Sequence, residues 1–164
     1  QLVLGQSCRH AVSLLAVGGH RGERVAMARR ALALFAVMLI GLPASWATEQ
    51  RQFDYMVNCQ GCHLPDGSGN PQRQVPAFPG QLGKFLSVPG GREYLVQVPG
   101  SALSGLSDEA LAGVLNWMLT TFSPAELPSD FKPYSGHEVH QARASVPTNV
   151  EQVREGLLKL IDRP

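Results

Sequence analysis

The sequence contains few aromatic residues, few cysteines and no block of like charges. Aromatic residues make up 7% of the 164 residues, whereas Gly and Pro number 17 and 12. A chain so rich in turn-forming residues has little apolar side-chain mass with which to build a core. It contains no internal repeat, and no Ser/His/Asp arrangement, phosphate-binding loop or carboxylate pair that would support a catalytic site of those kinds.

The small net charge of +1 conceals an uneven distribution. Residues 1–47 carry five Arg and one Glu, whereas the rest of the chain carries nine basic and twelve acidic residues, a net charge of −3. Nucleic acids bind surfaces that are rich in Lys and Arg, because such surfaces neutralise phosphates. A mildly acidic protein without a basic aromatic patch is therefore not expected to bind nucleic acid.

The longest apolar run, residues 31–42, has twelve residues, whereas a membrane-spanning helix needs about 20. It follows Arg29 and Arg30 and precedes small residues at Ser45 and Ala47, the pattern of a secretory signal peptide. We predict a signal peptide at residues 27–47, cleaved after Ala47, export to the bacterial periplasm, and only transient contact with the membrane. A permanent anchor is the alternative. Residues 1–26 are interpreted as an upstream extension without function.

The strongest functional signal is a C-x-x-C-H motif formed by Cys59, Cys62 and His63. It is typical of c-type haem attachment: both thiols would add to the vinyl groups of one haem, and the imidazole would bind the iron as proximal ligand. The alternatives are a dithiol redox pair and half of a structural zinc site. A redox pair would need a βαβ context and a zinc site a second ligand pair, but the only other cysteine is Cys8. No second haem motif is present, so we predict one covalent haem c.

The run Cys-Gln-Gly-Cys-His-Leu-Pro-Asp-Gly-Ser-Gly at residues 59–69 resembles the class I c-type cytochromes. The resemblance covers residues 52–122 and implies a mainly α-helical fold of a few helices wrapped around one covalent haem. It also implies a small electron carrier that is matured outside the cytoplasmic membrane. We predict a haem domain at residues 48–127, followed at residues 128–164 by a linker and a two-helix C-terminal extension.

Helical spacing predicts a short helix before the motif. Phe53, Met56 and Val57 recur at this spacing and lead into Cys59. We expect Met56 to lie in the core on the proximal side. Residues 92–98 fit a strand or a short helix equally well.

The most regular helix is predicted after Ser107, a good N-cap residue that precedes two acids. Its apolar residues recur along one face; they are Leu111, Val114, Leu115, Met118 and Leu119. The resemblance implies that this helix packs across the first helix and the haem edge. Two capping boxes, which start at Ser135 and Thr148, predict the helices of the extension. The apolar face of the second must be covered by the haem domain or by a partner.

The residue that binds the far side of the iron is not evident from the sequence. Class I cytochromes use a Met from the loop before the last helix, but residues 98–105 contain none. The remaining candidates are Met118, in the apolar stripe, and His137 and His140, on one face of the extension. An empty position would permit small-ligand binding or peroxide chemistry. The distal ligand, and with it the reduction potential, stays open.

Four polar side chains at residues 72–100 are candidates for contacts with the haem propionates. The resemblance implies that this region wraps the haem edge and buries the propionates, and cationic or hydroxyl donors suit carboxylates. The candidates are Arg73, Lys84, Arg92 and Tyr94. The alternative for each is a solvated surface side chain.

The sequence therefore predicts a periplasmic electron carrier, not an enzyme, that transfers single electrons. The expected donor is a periplasmic dehydrogenase, and the expected acceptor is a terminal oxidase or another cytochrome. Two further functions stay open. One is a haem enzyme or gas-binding module with an open distal iron site, and the other is a subunit docked on a dehydrogenase through residues 148–162.

Overall fold

The computed structural model describes residues 43–163, and all regular structure in that range is helical, without a strand. The helices are α1 (Pro43–Asn58), α2 (Gln60–His63), α3 (Gly91–Gln97), α4 (Pro99–Ala102), α5 (Asp108–Phe122), α6 (Gly136–Arg143) and α7 (Val150–Ile161). Three 3-10 turns lie between them, at Pro71–Arg73, Leu82–Ser87 and Pro124–Glu126. The predicted mainly α-helical fold is confirmed.

The predicted upstream extension and most of the predicted signal peptide lie outside the described residues. Residues 43–47 of that peptide form the first turns of α1. None of the helices in the described range is long and apolar enough to cross a membrane.

Helix α1 leads into the motif as predicted, but its predicted apolar side is not the side that packs in the core. Phe53, Met56 and Val57 are 58%, 50% and 65% exposed, whereas Tyr55 is 1% exposed. The prediction that Met56 is a core residue is therefore wrong. Apolar spacing identified the helix, but α1 carries apolar residues on more than one side, and the packing of α5 decides which side is buried.

Helix α5 lies at the centre of the core. Its N-cap is Ser107, whose hydroxyl oxygen accepts a hydrogen bond of 3.1 Å from the backbone N–H of Ala110. Every residue of the predicted stripe is at most 5% exposed; they are Leu111, Val114, Leu115, Met118 and Leu119. Both the helix and its buried face are therefore confirmed.

Residues 91–97 form the helix α3 and not a strand. Tyr94, Leu95 and Val96 are all at most 5% exposed, so this short helix is buried on most of its surface. It begins at Gly91, where a Cβ atom would overlap the backbone carbonyl of Phe85. The close approach of the 3-10 turn at residues 82–87 therefore requires glycine at this position.

Helices α6 and α7 pack against the same core. Ser135 caps α6 by accepting a hydrogen bond from the N–H of Glu138, as predicted, whereas α7 is capped by Asn149, one residue after the predicted Thr148. α6 contacts α5 and α3, and α7 contacts α3. Val139, Ala142 and Leu157 are 0%, 5% and 5% exposed and belong to the main hydrophobic cluster. The apolar faces of the extension are thus used within the chain.

If the extension is part of the core, deleting buried methyl groups from α6 must destabilise the whole protein. We expect Val139→Ala to lower the free energy of unfolding of the full chain by about 2 kcal/mol, because two fully buried methyl groups are lost. Val146→Ala is the matched control, since Val146 is 42% exposed, and its effect should stay within about 0.5 kcal/mol. Urea unfolding measures both, and equal effects would contradict the packing described.

Candidate haem attachment site

The motif occupies the helical turn that directly follows α1. The N–H of Cys59 donates to the carbonyl of Tyr55 at 2.8 Å, and the N–H groups of Cys62 and His63 donate to the carbonyl of Cys59 at 3.2 and 3.0 Å. Residues three and four positions apart on a helical turn share one side. Both thiols and the imidazole therefore belong to one face of this turn. It ends at Leu64, which has a left-handed φ of 65°.

A backbone carbonyl and an aromatic ring hold the imidazole of His63. Its Nδ1 lies 3.2 Å from the carbonyl oxygen of Pro76, and its ring stacks on Phe78 with a centroid separation of 4.0 Å. Because a carbonyl can only accept, Nδ1 carries the proton and Nε2 keeps its lone pair. Burial lowers the pKa of His63, although the hydrogen bond to Pro76 opposes this effect. The result is a neutral imidazole with Nε2 ready to bind a metal.

The two thiols of the motif are not joined in a disulfide, and they differ in exposure. Cys59 is half-buried and Cys62 is exposed. Burial raises the pKa of Cys59 to about 11, so this thiol is protonated at neutral pH. A redox-active dithiol needs a lowered thiol pKa, so this shift disfavours the redox pair, whereas a bound metal would itself deprotonate a thiol and the zinc alternative must be judged on its ligands. Within the described range, no group of three or more His, Cys, Asp or Glu side chains could hold a metal ion. The zinc and redox-pair alternatives therefore lack support.

The glycine-rich loop after the motif brings Pro76 to the imidazole. Gly69 donates its N–H to the carbonyl of His63 at 3.1 Å, and Phe78 donates to the carbonyl of Gly67 at 2.8 Å. Both glycines have a positive φ, and a Cβ atom on Gly69 would lie 2.5 Å from the carbonyl oxygen of Pro76. The loop can fold back this tightly only because these residues lack a side chain.

An aromatic cluster packs the motif against the end of α5. Tyr55 lies 5.2 Å from Trp117 and 5.4 Å from Phe122, measured between ring centroids, and Phe122 lies 5.9 Å from Phe78. The hydroxyl of Tyr55 donates to the carbonyl of Leu64 at 2.6 Å. Burial, together with the nearby Cys59 and Asp66, raises the pKa of Tyr55 to about 12. The end of the motif is therefore held by a neutral, buried donor.

The four candidates for propionate contacts do not form one cluster. Arg73 is exposed and Lys84 half-buried. Arg92 donates to both carboxylate oxygens of Glu138, at 2.8 and 3.0 Å. Tyr94 is 5% exposed and stacks on Phe85. The guanidinium of Arg92 thus already has a carboxylate partner, and a propionate contact at any of the four stays a prediction.

The three candidates for the distal ligand lie at different ends of α5. His140 contacts Asp108, the first residue of α5, through Nδ1 and Oδ2 at 3.0 Å. His137 is exposed, one turn earlier on α6. Met118 is 5% exposed and lies one turn before Phe122, at the end of α5 that contacts the motif. The structure does not bring these three side chains together.

Sequence reasoning missed Tyr55, Pro76 and Phe78, which orient the motif. Pro76 acts through its backbone carbonyl, which no side-chain pattern reports. Tyr55 and Phe78 could have been suspected, since aromatic residues are scarce in this chain and both lie near the motif. Only the fold shows that they meet Phe122, 44 or more positions later.

The side chains present fit a covalently bound haem. Two thiols one turn apart, at Cys59 and Cys62, and a neutral imidazole with Nε2 available are the groups that covalent attachment and iron binding require. A helical turn of this kind, with its imidazole oriented by a backbone carbonyl in an all-helical core, is compatible with an attachment site of the c type.

Comparison with curated proteins agrees. The chain is 34% identical over 104 residues to cytochrome c-552 of Thermus thermophilus, covering 52% of this chain and 79% of that protein. It has the same identity to cytochrome c-552 of a named strain of the same organism, with 70% of that protein covered. The chain therefore belongs to the class I c-type cytochromes. The alignment has 104 positions, but only 52% of the 164 residues of this chain take part in it. At the other positions the relatives have residues that this chain lacks. No protein-family model matches the chain.

The hydroxyl of Tyr55 should contribute measurably to stability. Tyr55→Phe leaves the ring contacts in place but removes the donor to Leu64, and we expect a loss of about 1 kcal/mol. Tyr55→Leu is the comparison variant: it also removes the contacts with Trp117 and Phe122 and should cost more, about 2–3 kcal/mol. Denaturant unfolding followed by fluorescence gives both values. A Tyr55→Phe protein as stable as the wild type would show that this hydrogen bond does not matter.

Proposed function

We propose that the protein is a monohaem electron carrier with haem c bound covalently through Cys59 and Cys62 and with His63 as proximal iron ligand. The observation that carries this proposal is the imidazole of His63, fixed beside both thiols by the carbonyl of Pro76. Membership of the class I c-type cytochromes supports it. When bound, the haem supplies an iron that gains or loses one electron.

The protein residues would orient the haem and limit contact with water. The hydrogen bond from Nδ1 to Pro76 keeps the His63 ring from rotating and raises the basicity of Nε2. Phe78 covers one face of the ring at 4.0 Å. Since His63 stays neutral and its partner is an uncharged carbonyl, electron transfer requires no proton transfer at this residue.

An exposed apolar face beside the motif supports contact with redox partners. On α1, Phe53, Met56 and Val57 are at least 50% exposed, and Leu64 after the motif is 41% exposed. Weak electron-transfer encounters use small interfaces, and apolar side chains near the centre of an interface exclude water. We propose a periplasmic dehydrogenase as electron donor and an oxidase or another cytochrome as acceptor.

Covalent attachment can be tested by intact mass and the pyridine haemochrome spectrum. Expressed in a host that matures c-type cytochromes, the full chain should carry one haem that survives denaturation and acid extraction. The Cys59→Ala, Cys62→Ala double variant should carry no such haem, because no thioether can form.

Cys8→Ser is the matched control for the double variant, since Cys8 lies outside the motif and should not affect the haem content. A haem content that depends on Cys8, or a colourless wild type, would contradict the proposal.

Localisation gives a separate test. We propose that the signal at residues 27–47 exports the chain to the periplasm, so N-terminal sequencing of the periplasmic protein should begin at Thr48. Ala47→Asp should slow or abolish this cleavage, because the site requires small residues, whereas Ala28→Ser should leave it unchanged. Recovery of a cytoplasmic protein that retains Cys8 would contradict export.

A further inference from the structure

We propose that the iron position opposite His63 is open and binds a small neutral diatomic ligand, such as carbon monoxide, in the ferrous state. The inference rests on the proposed haem attachment at Cys59, Cys62 and His63. Haem iron in proteins takes its axial ligands from His, Met, Cys or Tyr side chains. In the part of the chain that the structure describes, each such donor outside the motif is far from His63, is already engaged, or, in the case of Met56, lies on the helix that leads into the turn of His63 itself.

The connection between α3 and α5, residues 98–107, offers no donor. It contains only Val, Pro, Gly, Ser, Ala and Leu. Arg143 fixes its path, since Nη2 donates to the carbonyl of Ser101 at 3.2 Å and to the hydroxyl of Ser104 at 3.0 Å. Nη1 donates to the carbonyl of Leu106 at 3.0 Å. Three anchors within six residues hold the connection in one conformation.

The two histidines of the extension lie at the wrong end of α5. His140 is bound to Asp108 at the start of the helix, whereas Phe122 at its end contacts Phe78, the residue on which His63 stacks. α5 has fifteen residues and rises about 1.5 Å per residue, so its ends lie about 20 Å apart. Two ligands of one iron lie only a few ångströms apart, and His140 is therefore excluded in this conformation.

His137 belongs to the same end of the molecule as His140. Its neighbour Gly136 lies so close to α5 that a Cβ atom there would be 2.8 Å from Oε1 of Glu109. Glu109 is the second residue of α5. His137 is thus also placed beside the first turn of α5, far from the motif.

The tyrosines are engaged elsewhere. Tyr55 donates to the carbonyl of Leu64 at 2.6 Å, and Tyr134 donates to the carbonyl of Arg92 at 2.9 Å. Tyr94 is buried against Phe85. None of these hydroxyls reaches the iron without breaking its present packing or hydrogen bond.

Two methionines remain in the described range as possible ligands, and the experiment below replaces each of them. Met56 lies on α1, one turn before Cys59 on the helix that leads into the turn of His63 itself. Met118 lies at the motif's end of α5, but its side chain is 5% exposed and belongs to the hydrophobic core. A thioether that fills a core position is not free to bind a metal unless the helix moves.

The experiment uses the holoprotein, first shown to carry covalent haem by the pyridine haemochrome spectrum. The dithionite-reduced protein is then titrated with carbon monoxide. We expect a high-spin spectrum before addition and a saturable shift after it. Three variants should bind carbon monoxide with dissociation constants within about twofold of that of the wild type. They are Met118→Leu, Met56→Leu and the His137→Ala, His140→Ala double variant. Leucine conserves volume at the two methionine positions, so the folds should persist.

Two results would overturn the proposal. A low-spin wild type that ignores carbon monoxide, with one variant gaining the response, would identify that residue as the distal ligand. A low-spin spectrum in the wild type and in every variant would place the ligand on another residue of the chain. A chain without covalent haem would refute the proposed function itself, which the pyridine haemochrome detects before any titration.

Discussion

The hydrogen bond between Nδ1 of His63 and the carbonyl of Pro76 is the interaction on which the site depends. It fixes the tautomer of the imidazole, and therefore which nitrogen can bind iron. Its geometry comes from the loop between the two residues, where Gly67 and Gly69 adopt a left-handed φ. A side chain at position 69 would overlap the carbonyl oxygen of Pro76. A substitution of Gly69 would therefore disrupt both the loop and the hydrogen bond.

An aromatic cluster helps to hold the imidazole in the position that this hydrogen bond requires. Phe78 covers the imidazole and packs on Phe122, which in turn contacts Tyr55 of α1. The cluster joins three parts of the chain that are far apart in sequence: α1, the loop after the motif, and the end of α5. Phe78 excludes water from one face of the ring, while the hydrogen bond itself is exposed. The same exclusion lowers the pKa of His63 and keeps it neutral.

The features that sequence alone predicted are those set by local chemistry. The C-x-x-C-H motif, the Ser107 cap and the stripe of α5 each depend on residues within a few positions of one another. Met56 was misplaced because the buried side of α1 is decided by α5, more than fifty residues later. Arg92 was predicted as a propionate contact from its charge and its place in residues 72–100, and that contact stays a prediction. Its partner in the structure is Glu138, which comes from the extension that the prediction placed outside the haem domain.

That extension stabilises the connection between α3 and α5, whose own side chains hold it only weakly. Most of its residues are small or exposed, Leu103 is 84% exposed, and Val98 and Leu106 pack only partly against the core, so burial alone does little to fix its backbone. Arg143 fixes the connection by hydrogen bonds. Four of its N–H groups donate to Ser101, Ser104 and Leu106 of the connection and to Asp108 of α5.

Only a guanidinium presents enough donors in one plane for this arrangement, since a lysine would reach at most three acceptors from a single point. The contact with Asp108 also lowers the pKa of that carboxyl, so it stays ionised at the positive end of α5. A short connection without a metal ligand is thus held in place by a side chain from α6. The C-terminal residues therefore help to stabilise the same compact unit, residues 44–164, that contains the motif.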